Sequence, residues 1–149
     1  RVLLLEMAKK SRRKGTRPAR TGSVPADKDV LASIKAASDE YPVLSTRFLQ
    51  KGWGFEEMTD ETRLSFLQKW HKRSEISWKE LASHQRHGLG SEYIPSKQIK
   101  PQVPRQFQEV DKFRVFRHHG NLPFAGWKDR GIFYVLWIES RYDDLYDHG

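Results

Sequence analysis

The run Arg117-His118-His119-Gly120 gathers side chains suited to proton transfer on a phosphate ester. An imidazole exchanges a proton near neutral pH, and a guanidinium presents a planar fork of donors to phosphate oxygens. The same run also reads as a strand end entering a turn, where polar residues are ordinary structure. Successive strand residues point to opposite faces, so only one of His118 and His119 faces any given site. His84 and His87, three residues apart, share a helical face and could ligate a metal together. No third histidine or carboxylate joins them at ligand spacing and the HExxH form is absent, so neither a metal nor another cofactor is expected. The chain has no cysteine, which excludes disulfide scaffolds, thiolate zinc sites, iron–sulfur clusters and thiol nucleophiles. It also lacks a phosphate-cradling glycine loop, a GxSxG elbow and a dinucleotide fingerprint.

Charge is unevenly spread. The 149 residues carry 27 Lys and Arg against 19 Asp and Glu, and residues 1–28 alone hold nine of the cations and two of the acids. Residues 8–28 contain no aromatic and one β-branched aliphatic, Val24, too little apolar surface to offset the entropy of ordering. A disordered basic arm is expected there. Its Lys9, Lys10, Arg12, Arg13, Lys14, Arg17 and Arg20 suit a polycationic contact with nucleic-acid phosphates, or else serve only solubility. With no aromatic between them they cannot stack on bases. Residues 68–105 form a second basic region, with eight cations and three acids, and place Lys69, Lys72 and Arg73 on one predicted helix. That region suits either phosphate contacts or the solvated outside of a helical pair. Met7-Ala8-Lys9-Lys10 reads as a translation start, so residues 1–6 are expected to be an upstream extension and residues 29–149 one domain. The four apolar residues at 2–5 are too few for a signal-peptide core, and no stretch approaches the ~20 that span a bilayer. No membrane partner is expected, and the cytoplasm is the default compartment.

The elements that would position these groups follow from periodicity. Leu31, Ile34 and Ala37 after Asp27 predict a short helix, ended by Pro42. Residues 43–49 are rich in strand formers and predict a first strand. Thr59-Asp60-Glu61 offers a cap and first-turn acids, and Leu64, Leu67 and Trp70 recur every third residue, predicting a helix over 61–74. Ser77 and Glu80 match a capping box that opens a second helix, with Gly88 and Gly90 as stop signals. The two helices should pair as an antiparallel hairpin. Residues 95–104 read as an exposed connector and 106–110 as a short strand. Residues 112–117 predict a strand with Phe113 and Val115 on one side and Arg114 on the other. Residues 122–127 predict a strand that Pro123 and Gly126 kink or confine to an edge. Seven consecutive large apolar residues, 132–138, predict an interior strand covered on both faces. Strict alternation puts Phe133, Val135 and Trp137 on one face and Ile132, Tyr134, Leu136 and Ile138 on the other. Residues 139–149, with four acids and one arginine, read as a tail or terminal turn. Trp70, Trp78 and Trp137 are expected in the core, whereas Trp53 and Trp127 suit either core or an exposed stacking platform.

The fold class is therefore α+β: a small antiparallel sheet packed by a helical hairpin, in the order strand, helix, helix, strands. With the ending LPFAGWKDRGIFYVLWIE, this order resembles the RelE/ParE superfamily of bacterial type II toxins over residues 43–148. The longer stretch FRVFRHHGNLPFAGWKDRGIFYVLWIESRYDDLY also resembles uncharacterised bacterial proteins with an FRV…FYVLWID…LY ending. The toxin resemblance implies a cytoplasmic, metal-independent endoribonuclease that works on mRNA in the ribosome and is inhibited by a small antitoxin. It implies site residues spread over the sheet: Arg114, Arg117, His118 and His119 on a middle strand, Lys128 and Arg130 in the last hairpin, and Tyr142, Tyr146 and His148 after the last strand. Attack of a 2′-hydroxyl on the adjacent phosphate needs a base, a cation and an acid, which these side-chain types supply. The alternative is a non-enzymatic module that holds nucleic acid or an acidic protein through its basic arm and helical surface.

Overall fold

The computed structural model describes residues 26–37 and 39–149. The seven arm cations from Lys9 to Arg20, and the expected upstream extension, lie outside the described residues. The expected first helix forms as α1 (Asp27–Ala37), with Val30, Leu31 and Ile34 exposed on it. The second helix is α2 (Asp60–Ser74). Thr59 caps it by accepting from the Thr62 N–H at 3.2 Å, while Thr62 Oγ1 accepts from the Thr59 N–H at 3.0 Å. Its buried stripe is Phe66, Trp70 and Arg73, spaced four and three, which follows the helical repeat. Leu64 and Leu67, expected inside, are exposed, because an every-third-residue row drifts off the inner face.

The predicted hairpin is cut short. Ser77 does cap a helix, accepting from the Glu80 N–H at 3.1 Å, but α3 is the single turn Trp78–Leu81. Beyond it the Ser83 and His84 amides bond back three residues, to Glu80 and Leu81, and residues 82–88 are all exposed. A run of Ser, His, Gln and Arg has no apolar face to bury, so nothing propagates the helix.

Five strands make one sheet in the order β1-β5-β4-β3-β2: β1 (Val43–Ser45), β2 (Ser91–Pro95), β3 (Lys112–His119), β4 (Leu122–Asp129) and β5 (Ile132–Ile138). β2 through β5 are antiparallel, but β1 runs parallel to β5, so the sheet is mixed and not wholly antiparallel as expected. β1 is shorter than its strand-forming run. After Ser45 the chain turns, and Phe48 packs against Tyr134 and Phe107. The expected strand at 106–110 is instead a 3₁₀ turn, Arg105–Phe107, following Pro104 and burying Phe107. β4 is interior, not an edge. Pro123, which lacks an N–H, sits where β3 bulges at His118, and its carbonyl accepts from the Glu139 N–H at 2.9 Å.

β5 is interior with both faces covered. Its register against β4 shifts between Ala125 and Gly126, leaving Leu136 as the extra residue of a bulge. The bulge overturns strict alternation: Phe133, Val135 and Ile138 face the helices, while Leu136 and Trp137 face away. The helix side is aromatic, with Phe66, Trp70 and Trp78 over Phe116, Phe124 and Phe133. The opposite side buries Phe113, Val115, Ala125, Leu136 and Trp137 under Ile99, Phe107, Leu145 and Tyr146. Residues 139–149 are thus a covering layer rather than a tail. Among the described residues, no helix is long and apolar enough to cross a membrane.

Candidate functional site

Where the C-terminal segment folds back over β2 and β3, it closes a cavity of about 210 Å³. β2 contributes Glu92 and β3 contributes Arg117. The loop after α3 brings Arg86 and His87, and the C-terminal segment brings Tyr142, Tyr146 and His148. Glu92 accepts from Arg117 Nη2 at 2.5 Å and from Arg86 Nη1 at 2.7 Å. Burial pushes the Glu92 carboxyl up, but the bonds from Arg117 and Arg86 outweigh it and hold the group below the usual carboxylate value. The Arg117 side chain is 7% exposed, and its Nε and Nη1 are buried with no hydrogen-bond partner. A guanidinium with two donors left unpaired is chemically suited to an oxyanion.

The second half of the cavity is built on Glu139, which is wholly buried just after β5. Its carboxylate accepts from the Leu145 N–H at 3.0 Å and meets His148 Nε2 at 3.1 Å. Burial raises the Glu139 carboxyl above its ordinary value, against the opposing pull of the Leu145 N–H and His148. The His148 ring lies between Tyr142 and Tyr146, with centroids 4.3 and 4.5 Å away and all three nearly parallel. Glu139 engages Nε2, which leaves His148 Nδ1 without a hydrogen bond. The Tyr146 hydroxyl is buried beside the Arg117 guanidinium, with no hydrogen bond of good geometry. Burial pushes its pKa up to about 12, with the Arg117 charge pulling the other way, so it stays a phenol.

The residues expected to act together are divided by the sheet. Arg117, Tyr142, Tyr146 and His148 share this cavity. Arg114 and Lys128 lie on the helix-side face, beside Trp78. His118 is fully buried between Phe66 and Phe124, so it touches no solvent-connected cavity. Its Nε2 donates to the Glu139 carbonyl at 2.7 Å, and burial drives its pKa down to about 4, keeping it neutral. His119 ends β3, half-buried. Arg130 occupies the β4–β5 turn with φ 52°, next to Asp129 at 3.8 Å. Of the helical cations, Lys72 is exposed and Lys69 is half-buried, its pKa lowered by burial and by Arg73 and Lys72. Arg73 is not a surface cation. It is fully buried, donates to the Leu89 and Arg117 carbonyls at 2.8 Å each, and lies over Phe116 and Phe124.

The sequence does not single out Glu92 or Glu139, and Arg86 belongs there only to the general basic region 68–105. The alternation Glu92-Tyr93-Ile94 in a strand was the available signal for Glu92. Among the described residues, no group of three or more His, Asp or Glu is placed to hold a metal ion. No family model, curated protein or solved structure matches this chain.

Proposed function

We propose that the protein acts on RNA as a toxin-like, metal-independent endoribonuclease of RelE-like architecture, with the Arg117–His148 cavity as its reaction centre. One observation carries this reading: Arg117, two of whose buried N–H groups are unpartnered, lines the same cavity as His148, whose Nδ1 is uncommitted. In this reading His148 Nδ1 takes the proton of a 2′-hydroxyl as that oxygen attacks the adjacent phosphorus. Arg117 receives the charge that develops on the non-bridging oxygens, and the Tyr146 phenol gives its proton to the departing 5′-oxygen. The P–O5′ bond breaks, leaving a 2′,3′-cyclic phosphate and a 5′-hydroxyl, and proton return from His148 to Tyr146 restores both groups. Glu139 orients the imidazole and Arg86 holds Glu92 off the phosphate. The RelE-like architecture is supported by the element order, with one strand, two helices on one face, then antiparallel strands ending on β5. It carries with it a ribosome-bound substrate and a small antitoxin partner.

The test is incubation of the full chain with RNA in the presence of a chelator. Cyclic-phosphate ends should form, and His148→Gln and Arg117→Lys should each lower the rate at least a hundredfold. Growth arrest on induction should vanish in the same variants. RNA that stays intact, or cleavage indifferent to both substitutions, rejects the reading in favour of a non-enzymatic binding module.

A further inference from the structure

On the opposite face of edge strand β2 from the Arg117 cavity, cations and aromatic rings alternate across the sheet. Lys112 Nζ lies 4.4 Å from the centre of the Tyr93 ring, and Arg114 Cζ lies 5.0 Å from the same ring. Arg114 also reaches the Trp78 ring at 5.4 Å, and Lys128 Nζ lies 5.1 Å from that ring. The ladder therefore runs Lys112, Tyr93, Arg114, Trp78, Lys128. Strand pairing builds it, because Arg114 pairs with Tyr93 on one side and with Gly126 on the other. Its Lys112, Tyr93, Arg114 and Lys128 line a groove of about 230 Å³ floored by Gly126, with Trp127 at the margin. Tyr93 is 48% exposed.

The charge in this groove is uncompensated. Among the described residues, Lys112, Arg114 and Lys128 make no ion pair, while Arg117, Arg86 and Lys100 on the other side each meet a carboxylate. Arg114 donates to the Tyr93 hydroxyl at 2.5 Å, yet its Nε is buried without a partner. A π-face holds a cation in place but leaves its charge intact. Three like charges so gathered favour an anionic occupant with repeated charges.

We infer that this groove binds a segment of single-stranded nucleic acid, with phosphates on Lys112, Arg114 and Lys128 and a base against the exposed Tyr93 ring. Interleaved rings and cations suit a strand carrying both a base and a phosphate per unit, whereas an acidic peptide would use the cations and leave the rings idle. The inference goes beyond the proposed reaction and stands whether or not the chain cleaves RNA.

The test is fluorescence anisotropy of a labelled oligouridylate about ten nucleotides long, titrated with the full chain at several salt concentrations. Tyr93→Ala should weaken binding about tenfold. The surface double variant Lys112→Gln/Lys128→Gln should reduce the slope of log affinity against log salt by about 1.4, for two lost phosphate contacts. Lys51→Gln, exposed and remote from the ladder, should leave the slope unchanged. The difference from the native chain removes the contribution of the basic arm. Native affinity and slope in both ladder variants would overturn the inference, as would polyglutamate competing as well as the oligonucleotide at equal charge. Loss of binding in these variants with no cleavage by the native chain would reject only the reaction. Cleavage with unaltered binding would reject only the ladder.

Discussion

Glu139 and His148 clasp the C-terminal segment to the end of β5. The carboxylate, wholly buried, meets His148 Nε2 at 3.1 Å and accepts the Leu145 N–H at 3.0 Å, so one side chain fixes both a backbone turn and a ring that lines the cavity. Glu139→Ala should leave the Leu145 N–H buried without an acceptor, at a cost of about 1–3 kcal/mol. It should also free His148 from between the tyrosines. Amide hydrogen exchange at Leu145 is the direct measurement, and protection equal to that of the native chain would show that the clasp does not hold the segment.

His118 makes stability depend on pH. Burial lowers its pKa from 6.5 to about 4, so the unfolded chain takes up the proton first. The stabilisation from its neutral form is complete above the unfolded value and is lost as pH falls through about 4, with about 3 kcal/mol at stake. Glu92, held below its usual value, adds its own loss only at the acid end of that window. In His118→Gln the amide still offers an N–H to the Glu139 carbonyl but cannot titrate. Urea unfolding between pH 7 and 4.5 should show a flatter decline for this variant. Parallel declines would assign the acid sensitivity elsewhere.

Much of this fold was legible because apolar runs announce themselves. Residues 132–138 could only be an interior strand, and Thr59 and Ser77 marked two helix starts by their chemistry. What periodicity misses is an inserted residue. The bulge at Leu136 exchanges the faces of Trp137 and Ile138, and the bulge at His118 sits among the residues that looked most catalytic. Residues 139–149 looked like an acidic tail because composition does not show that Leu145 and Tyr146 find the sheet through Glu139. The candidate site was half legible. Arg117, Tyr142, Tyr146 and His148 are expected site residues, but their meeting with Glu92 and Arg86 depends on β2, whose short SEYIP run gives little strand signal.

Arg73 was expected among surface phosphate contacts and is instead a pin between α2, the loop before β2, and β3. Its donors hold the Leu89 and Arg117 carbonyls, and its guanidinium lies 4.8 Å from the Phe116 ring centre. Burial lowers its pKa to about 10, still well above neutrality, so it remains charged. Arg73→Met keeps volume but strands two carbonyls, and should cost about 3 kcal/mol or more. Thermal unfolding should register the loss, while the salt slope for oligonucleotide binding at permissive temperature stays native. A changed slope with unchanged stability would return Arg73 to the surface.

Tyr146 separates a structural role from a chemical one. Its hydroxyl is buried beside Arg117 without a hydrogen bond of good geometry, so that contact offsets little of the oxygen's desolvation. Tyr146→Phe keeps the ring that stacks on His148 at 4.5 Å and removes only the oxygen. Stability should therefore hold or rise, by about 1 kcal/mol at most. If the phenol delivers the proton to the leaving 5′-oxygen, cleavage should fall by about 10²–10⁴-fold in the same variant. Chemical denaturation and product analysis on one preparation decide it, and undiminished cleavage in Tyr146→Phe would require a different acid in the cavity.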